Sequence, residues 1–177
     1  MSKKRAIFFD RDGTLIHAVH RPEFPKKITA PFSFNELRFI SLGSAVLKRV
    51  KELGYLRIMI TNQPDVAYGY MPEDEWERIQ QCVTETLALD DVFMCRHRSE
   101  DKCPMKKPSS LMLVAAADKW GIDLSSSYMI GDTEKDIRAG KAAGCKTILV
   151  QRFYNTEFEK EADIVIPSLR HVLDVIA

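Results

Sequence analysis

No apolar run in the 177-residue chain approaches the roughly 18 residues that a membrane-crossing helix needs, so no membrane span is expected. The stretch behind Ser2-Lys3-Lys4-Arg5 is also too short for the apolar core of a signal peptide, and the expected location is the cytoplasm. Charge of one sign is missing as well. The 26 basic side chains stand against 25 acidic ones, which leaves a formal +1 and no basic field to hold a nucleic-acid backbone. Cysteine is sparse, at four residues (Cys82, Cys95, Cys103 and Cys145), and in a reducing compartment these are thiols or metal ligands rather than disulfides. There is no linker, repeat or low-complexity tract. With 45% hydrophobic and 29% charged residues, the chain reads as one globular domain, 1–177, with no room for a large second one and with a monomer as the expected state.

What is present is an alternation. Short apolar, β-prone runs at residues 6–9, 56–60, 92–95, 128–130, 147–150 and 164–166 predict strands. Between them, Val46, Leu47, Val50 and Leu53 predict a helix stopped at Gly54, and Trp76, Ile79, Val83 and Leu87 predict a second opened by Pro72. Further helices are predicted over 108–120, 134–143 and 167–176. Strands alternating with helices imply an α/β fold, a doubly wound and mainly parallel sheet with helices on both faces. The single long stretch without period, residues 17–35 with Pro22, Pro25 and Pro31, is expected to be an irregular loop. A loop of that length in a compact domain usually serves function.

Chemistry gathers at the ends of the predicted strands, the edge where open α/β sheets bind ligands. The first strand runs into Asp10-Arg11-Asp12-Gly13-Thr14, and residues i and i+2 of a strand share a face. Two carboxylates about 4 Å apart repel by about 4 kcal/mol at an effective dielectric near 20, so the pair needs a cation or a shared proton. A polar turn is the blander alternative. The second strand is followed by Thr61-Asn62-Gln63, suited either to phosphate oxygens or to a helix cap. After the third comes Lys106-Lys107-Pro108, a cation for a dianion or a solvated lysine pair. The fourth leads into Gly131-Asp132-Thr133-Glu134-Lys135-Asp136, where Asp132 is a candidate cap and Asp136 is either solvated or the orienter of a lysine.

In this order, Asp10-x-Asp12-Gly13-Thr14, Thr61-Asn62-Gln63, Lys107-Pro108 and Gly131-Asp132-x3-Asp136 resemble the four motifs of the haloacid dehalogenase (HAD) superfamily phosphatases, over roughly residues 5–150. The length resembles the capless class, which includes heptose-bisphosphate and histidinol-phosphate phosphatases. The resemblance implies a HAD-like fold without a cap domain and phosphomonoester hydrolysis on a small phosphorylated metabolite. It implies Asp10 as the nucleophile that forms an aspartyl phosphate, and Asp12 as general acid and base. Mg2+ would be held by Asp10, Asp132 and the Asp12 main-chain carbonyl. Thr61, Asn62 and Lys107 would cradle the phosphoryl group, Asp136 is the second acid of the fourth motif, and Lys106 would reach toward substrate.

Cys95-Arg96-His97-x5-Cys103-Pro104-Met105 resembles the zinc loop of the same class, with Met105 where a fourth ligand is usual. A thioether is a poor Zn2+ ligand. The site therefore either binds structural zinc through Cys95, His97 and Cys103, with water or Asp101 as the fourth ligand, or has lost the metal with Met105 as an apolar plug.

The five-residue spacer and Thr14-Leu15-Ile16 resemble histidinol-phosphate phosphatases. Val66-Ala67-Tyr68-Gly69 resembles the heptose-bisphosphate enzymes, with Pro64-Asp65 replacing a usual Ser-Gly and Tyr68 standing at a common Arg. A sugar phosphate is the first expectation and histidinol phosphate the second. Arg21, Lys26 and Lys27 are candidates for a second anionic group, or are simply solvated. Two readings from other classes are a phospho-accepting receiver domain, whose acceptor lies on a middle strand rather than the first, and a non-catalytic binding domain.

Overall fold

The computed structural model describes residues 3–177. Ala6, Ile7, Phe8 and Phe9 form the body of strand β1 (Arg5–Phe9), and all four are fully buried. Alternate side chains of a strand point to opposite faces, so Ile7 and Phe9 enter one apolar cluster while Ala6 and Phe8 enter another. Burial on both faces is what the unbroken apolar run demanded.

Around β1 lies a six-stranded sheet built from β4 (Tyr55–Asn62), β5 (Asp91–Cys95), β6 (Tyr128–Gly131), β7 (Lys146–Val150) and β8 (Ile164–Ile166). The order is β5-β4-β1-β6-β7-β8 and every neighbouring pair is parallel. Helices α1 (Gly43–Glu52), α2 (Glu73–Leu87) and α5 (Val172–Ile176) supply the apolar cluster on the Ile7 and Phe9 face. Helices α3 (Leu111–Trp120) and α4 (Glu134–Ala143) supply the one on the Phe8 face. The architecture is the doubly wound parallel sheet with helices on both faces that the alternation implied. Its strand order reverses at β1, and such a switch point opens a crevice at the carboxyl ends of the strands.

All six predicted strands are present. Three expectations change. Helix α3 starts at Leu111 rather than 108, because residues 106–109 form a turn in which the Ser109 amide donates to the Lys106 carbonyl, and the first helical bond runs from Val114 to Ser110. The predicted helix over 167–176 is a 3-10 turn, Leu169–His171, followed by the single short helix α5.

Residues 17–35 are not an irregular loop either. They hold a two-stranded hairpin, β2 (Val19–His20) against β3 (Ile28–Thr29), and lead into a 3-10 turn, Phe34–Glu36. Arg21 ties this segment together: its guanidinium donates to Thr29 Oγ1 at 3.1 Å, pairs with Glu36 and lies 4.4 Å over the Phe32 ring. Strands of two residues are too short to show a period, which is why the sequence hides them.

Candidate active site

The crevice at the end of β1 opens into a cavity of about 370 Å³, with Asp10, Asp12, Asn62, Lys106, Lys107 and Asp132 among its lining residues. At its buried end Lys107 is the hub. Its ammonium donates to Asp10 Oδ1 at 2.7 Å, to Asp136 Oδ1 at 2.6 Å and to the Ile60 carbonyl at 2.7 Å. Burial works against the charged lysine, but Asp10 and Asp136 outweigh it and lift its pKa above the ordinary range. Asp10 is pushed up to about 7, first by burial and then by Asp136 and Asp12, with Lys107 pulling the other way. To stay ionised, a carboxylate so placed calls for more positive charge than one lysine supplies.

Asp136 therefore orients a lysine rather than meeting solvent. Its second oxygen accepts from the Thr133 amide at 3.0 Å and the Thr133 hydroxyl at 2.6 Å, a capping box at the start of α4. Asp132 differs. It is buried, Tyr154 donates to Oδ2, and Oδ1 has no hydrogen-bond partner among the described residues. Burial, then Asp10 and Asp136, raise its pKa well above the usual carboxylate value.

Asp10, Asp132 and Asp136 place carboxylate oxygens within 4.8 Å of one another. With both Asp136 oxygens engaged, Asp10 and the orphaned Asp132 Oδ1 are the pair that fits a cation. An all-oxygen donor set suits a hard ion such as Mg2+.

Asp12 is held from two sides. Arg11, fully buried, donates to it through Nε and Nη2 at 3.2 and 3.1 Å, and Gln63 Nε2 donates to Oδ2 at 2.6 Å. Gln80, on the buried face of α2, accepts from Arg11 at 3.2 Å.

Thr61 is fully buried and its hydroxyl accepts from Gln63 at 2.9 Å. Asn62 lines the cavity, but its amide is engaged with the Lys107 main chain, as donor and acceptor, at 3.1 Å each. It thereby fastens the loop that carries Lys107 to β4. Lys106 lines the cavity with its ammonium on the His97 carbonyl at 2.7 Å.

Of the cations assigned to the first loop, only Lys26 lines the cavity; Arg21 is spent on Thr29 and Glu36. The outer wall is aromatic, with Tyr68 stacked on Tyr70 at 5.4 Å and Phe24 edge-on to Tyr70 at 5.2 Å.

Cys95, His97 and Cys103 come together with ligand atoms within 4.8 Å, and Cys95 Sγ lies 3.7 Å from His97 Nδ1. Among the described residues no fourth ligand side chain joins them. Asp101 turns to Arg98, accepting from its amide at 2.8 Å, and Met105 packs against the apolar cluster under α3. Three ligands make an incomplete structural zinc site, and the packed Met105 favours the plug.

Sequence reasoning missed Arg11 and Gln63 as partners of Asp12 and Tyr154 and Asn155 as partners of Asp132, and with them Gln80 behind Arg11 and Arg152 on the Gly13 carbonyl. The one available signal was Gln80, a polar residue inside the stripe Trp76, Ile79, Val83 and Leu87.

A family described as HAD-hydrolase-like matches residues 104–172. The D-glycero-beta-D-manno-heptose-1,7-bisphosphate 7-phosphatase of Haemophilus ducreyi is 32% identical over 94% of each chain. That of Helicobacter pylori is 33% identical over 85% of each. The D-glycero-alpha-D-manno-heptose-1,7-bisphosphate 7-phosphatase of Burkholderia mallei is 33% identical over 84% of this chain and 80% of the relative. Among solved structures, the D,D-heptose 1,7-bisphosphate phosphatase of B. bronchiseptica, complexed with magnesium and phosphate, superposes with a TM-score of 0.82 at 24% identity over 97% of both chains.

Proposed function

The chain belongs to the haloacid dehalogenase superfamily of phosphatases, and from that premise we propose that it is a Mg2+-dependent hydrolase of a small sugar bisphosphate, with heptose 1,7-bisphosphate as its substrate. The observation that carries the chemistry is one cavity holding Asp10 on the Lys107 ammonium beside a buried, unpartnered Asp132 oxygen.

Asp10, held through Oδ1 by Lys107, attacks phosphorus with Oδ2, and the bond from phosphorus to the sugar oxygen breaks. Asp12, fixed by Arg11 and Gln63, gives its proton to the departing alkoxide, which leaves as the alcohol. Asp12 then takes a proton from the water that attacks the aspartyl phosphate, releasing inorganic phosphate and restoring Asp10. Lys107, anchored by Asp136, supplies fixed positive charge to the phosphoryl oxygens. Asp10, Asp132 and the Asp12 main-chain carbonyl would hold Mg2+, which would supply the remaining charge neutralisation.

Three lysines support a bisphosphate. Lys26, Lys106 and Lys135 come from three different segments, line the same cavity, and pair with no carboxylate among the described residues. Burial and then the charges of Lys26 and Lys106 lower the pKa of Lys135, a crowding that a second phosphate relieves. Lys135→Ala is expected to raise KM for the bisphosphate about tenfold, the order of one charge-assisted hydrogen bond. KM for a monophosphate of the same sugar should barely move, and equal effects on both would refute a second-phosphate role.

The deciding experiment measures phosphate release from heptose 1,7-bisphosphate of both anomers, the corresponding monophosphates and histidinol phosphate, with EDTA and with Mg2+. A bisphosphate should give the highest kcat/KM, and turnover should vanish in EDTA and return with Mg2+. Preference for histidinol phosphate would overturn the substrate, and metal-independent turnover would overturn the cofactor. Asp12→Asn is expected to lower kcat by about 10²–10⁴-fold with KM within a factor of about three. An effect confined to KM is incompatible with an acid/base role.

A further inference from the structure

The segment that follows β7, Arg152-Phe153-Tyr154-Asn155, lies outside all four motifs yet grips two of them. Tyr154 donates its hydroxyl to Asp132 Oδ2. Asn155 donates from Nδ2 to the Asp132 carbonyl at 2.7 Å and to the Val150 carbonyl at 2.9 Å, which moors the Asp132 backbone to the end of β7. Its Oδ1 accepts from the Arg152 amide at 2.8 Å. Arg152 reaches the other way, with Nε and Nη2 on the Gly13 carbonyl at 2.9 and 2.6 Å.

Gly13 closes the triangle. At φ +82° it stands in the left-handed region, and a Cβ built there would fall 2.1 Å from Asp132 Oδ2 and 2.7 Å from the Tyr154 hydroxyl. The turn after Asp12, the Asp132 carboxylate and the Tyr154 hydroxyl are therefore interlocked.

A carboxylate presents two equivalent oxygens and turns about its Cβ–Cγ bond, so an isolated Asp132 would offer either one, at any angle. The hydrogen bond removes that freedom. We propose that Tyr154, with Asn155 as its main-chain counterpart, is a positioning residue that assigns Oδ2 of Asp132 to the protein and leaves Oδ1 as the oxygen presented to the divalent cation. The buried Oδ1 without a partner is what such an assignment leaves behind. Outer-shell partners of metal ligands are worth about 10- to 100-fold in metal affinity. The inference rests on reading Asp132 as a metal ligand.

Calorimetric titration of Mg2+ into substrate-free protein tests it, because no turnover is needed and the choice of substrate does not enter. Tyr154→Phe should weaken Mg2+ binding by about tenfold or more, while the melting temperature of the metal-free protein changes little. Phosphatase activity of this variant should recover as Mg2+ is raised. Asn155→Ser, which leaves the Tyr154 hydroxyl in place and releases the main-chain tethers to Asp132, Val150 and Arg152, carries the same expectation, so the idea is decided even where the Phe variant does not fold. Arg152→Gln is the control for a scaffolding role: it frees the Gly13 carbonyl, not Asp132, and should lower kcat with Mg2+ affinity within about threefold.

Unchanged Mg2+ affinity in Tyr154→Phe, or in Asn155→Ser should the Phe variant not fold, overturns the proposal, as does an equal loss in Arg152→Gln. Absence of Mg2+ binding by the unsubstituted protein would overturn the metal reading itself, and this inference with it.

Discussion

Asp10→Asn is expected to reduce phosphate release by about 10³-fold or more, while the protein stays folded with its sheet intact. The amide is nearly isosteric, so the packing around a residue that is 7% exposed is kept. Two chemical functions are lost together. An amide is too poor a nucleophile to form the covalent intermediate, and it removes one negative charge from the Asp10 and Asp132 pair. No neighbour is placed to take over the attack: Asp136 is engaged by Lys107 and Thr133, Asp12 by Arg11 and Gln63, and the free oxygen of Asp132 is the one read as a Mg2+ ligand. Rapid-quench measurement with ³²P-labelled substrate should trap labelled protein in the unsubstituted enzyme and none in the variant. Residual turnover within about tenfold of the parent would exclude Asp10 as the nucleophile.

The largest loss of stability is expected for Lys107→Met, which keeps the length of the side chain and removes its charge. Lys107 is 3% exposed and is the cation shared by Asp10 and Asp136. Deleting one partner of a buried ion pair leaves uncompensated charge and costs about 3–5 kcal/mol. For a domain of this size that lowers the melting temperature by roughly 10 °C.

The sign of the pH dependence follows from the same carboxylates. Protonated Asp10 needs no cation, and with its pKa already near 7 in the parent it takes up a proton more readily still once the lysine is gone. The destabilisation should therefore be smaller at pH 5.5 than at pH 8. A loss that is independent of pH, or below about 1 kcal/mol, would show that the lysine is not compensating buried charge. Catalysis should fall at both pH values, because the fixed charge facing the phosphoryl group has gone.

Features set within a few neighbouring residues were readable before any coordinates. The six strands were, because each is a short apolar run, and in β1, β4, β5 and β6 alternate residues enter the two clusters on either side of the sheet. So were Asp10, Asp12, Lys107 and Asp132, because each follows a strand end and a doubly wound sheet delivers those ends to one edge. The hairpin in residues 17–35 was not, since its order comes from Arg21 bridging to Thr29 and Glu36 rather than from any pattern.

The role of Asn62 was open for a related reason: an amide that suits phosphate equally suits a main chain, and here it fastens Lys107. Apart from Arg11, which adjoins Asp12, the partners of the acids and of the Gly13 turn were invisible, because they are separated by sequence distances that no local pattern spans. Gln63 reaches Asp12 over 51 positions, Tyr154 reaches Asp132 over 22, and Arg152 reaches Gly13 over 139.

By itself the sequence determined the fold class and which side chains stand at the catalytic edge, because periodicity and strand ends are local properties. Only the tertiary structure decided how the four acids divide their work. Asp136 serves Lys107, Asp12 is gripped by Arg11 and Gln63, Asp10 is half claimed by the lysine, and Asp132 keeps one buried oxygen free. The physical reason is that a buried carboxylate is defined by what satisfies each of its oxygens, and most of those partners arrive from segments distant in the sequence.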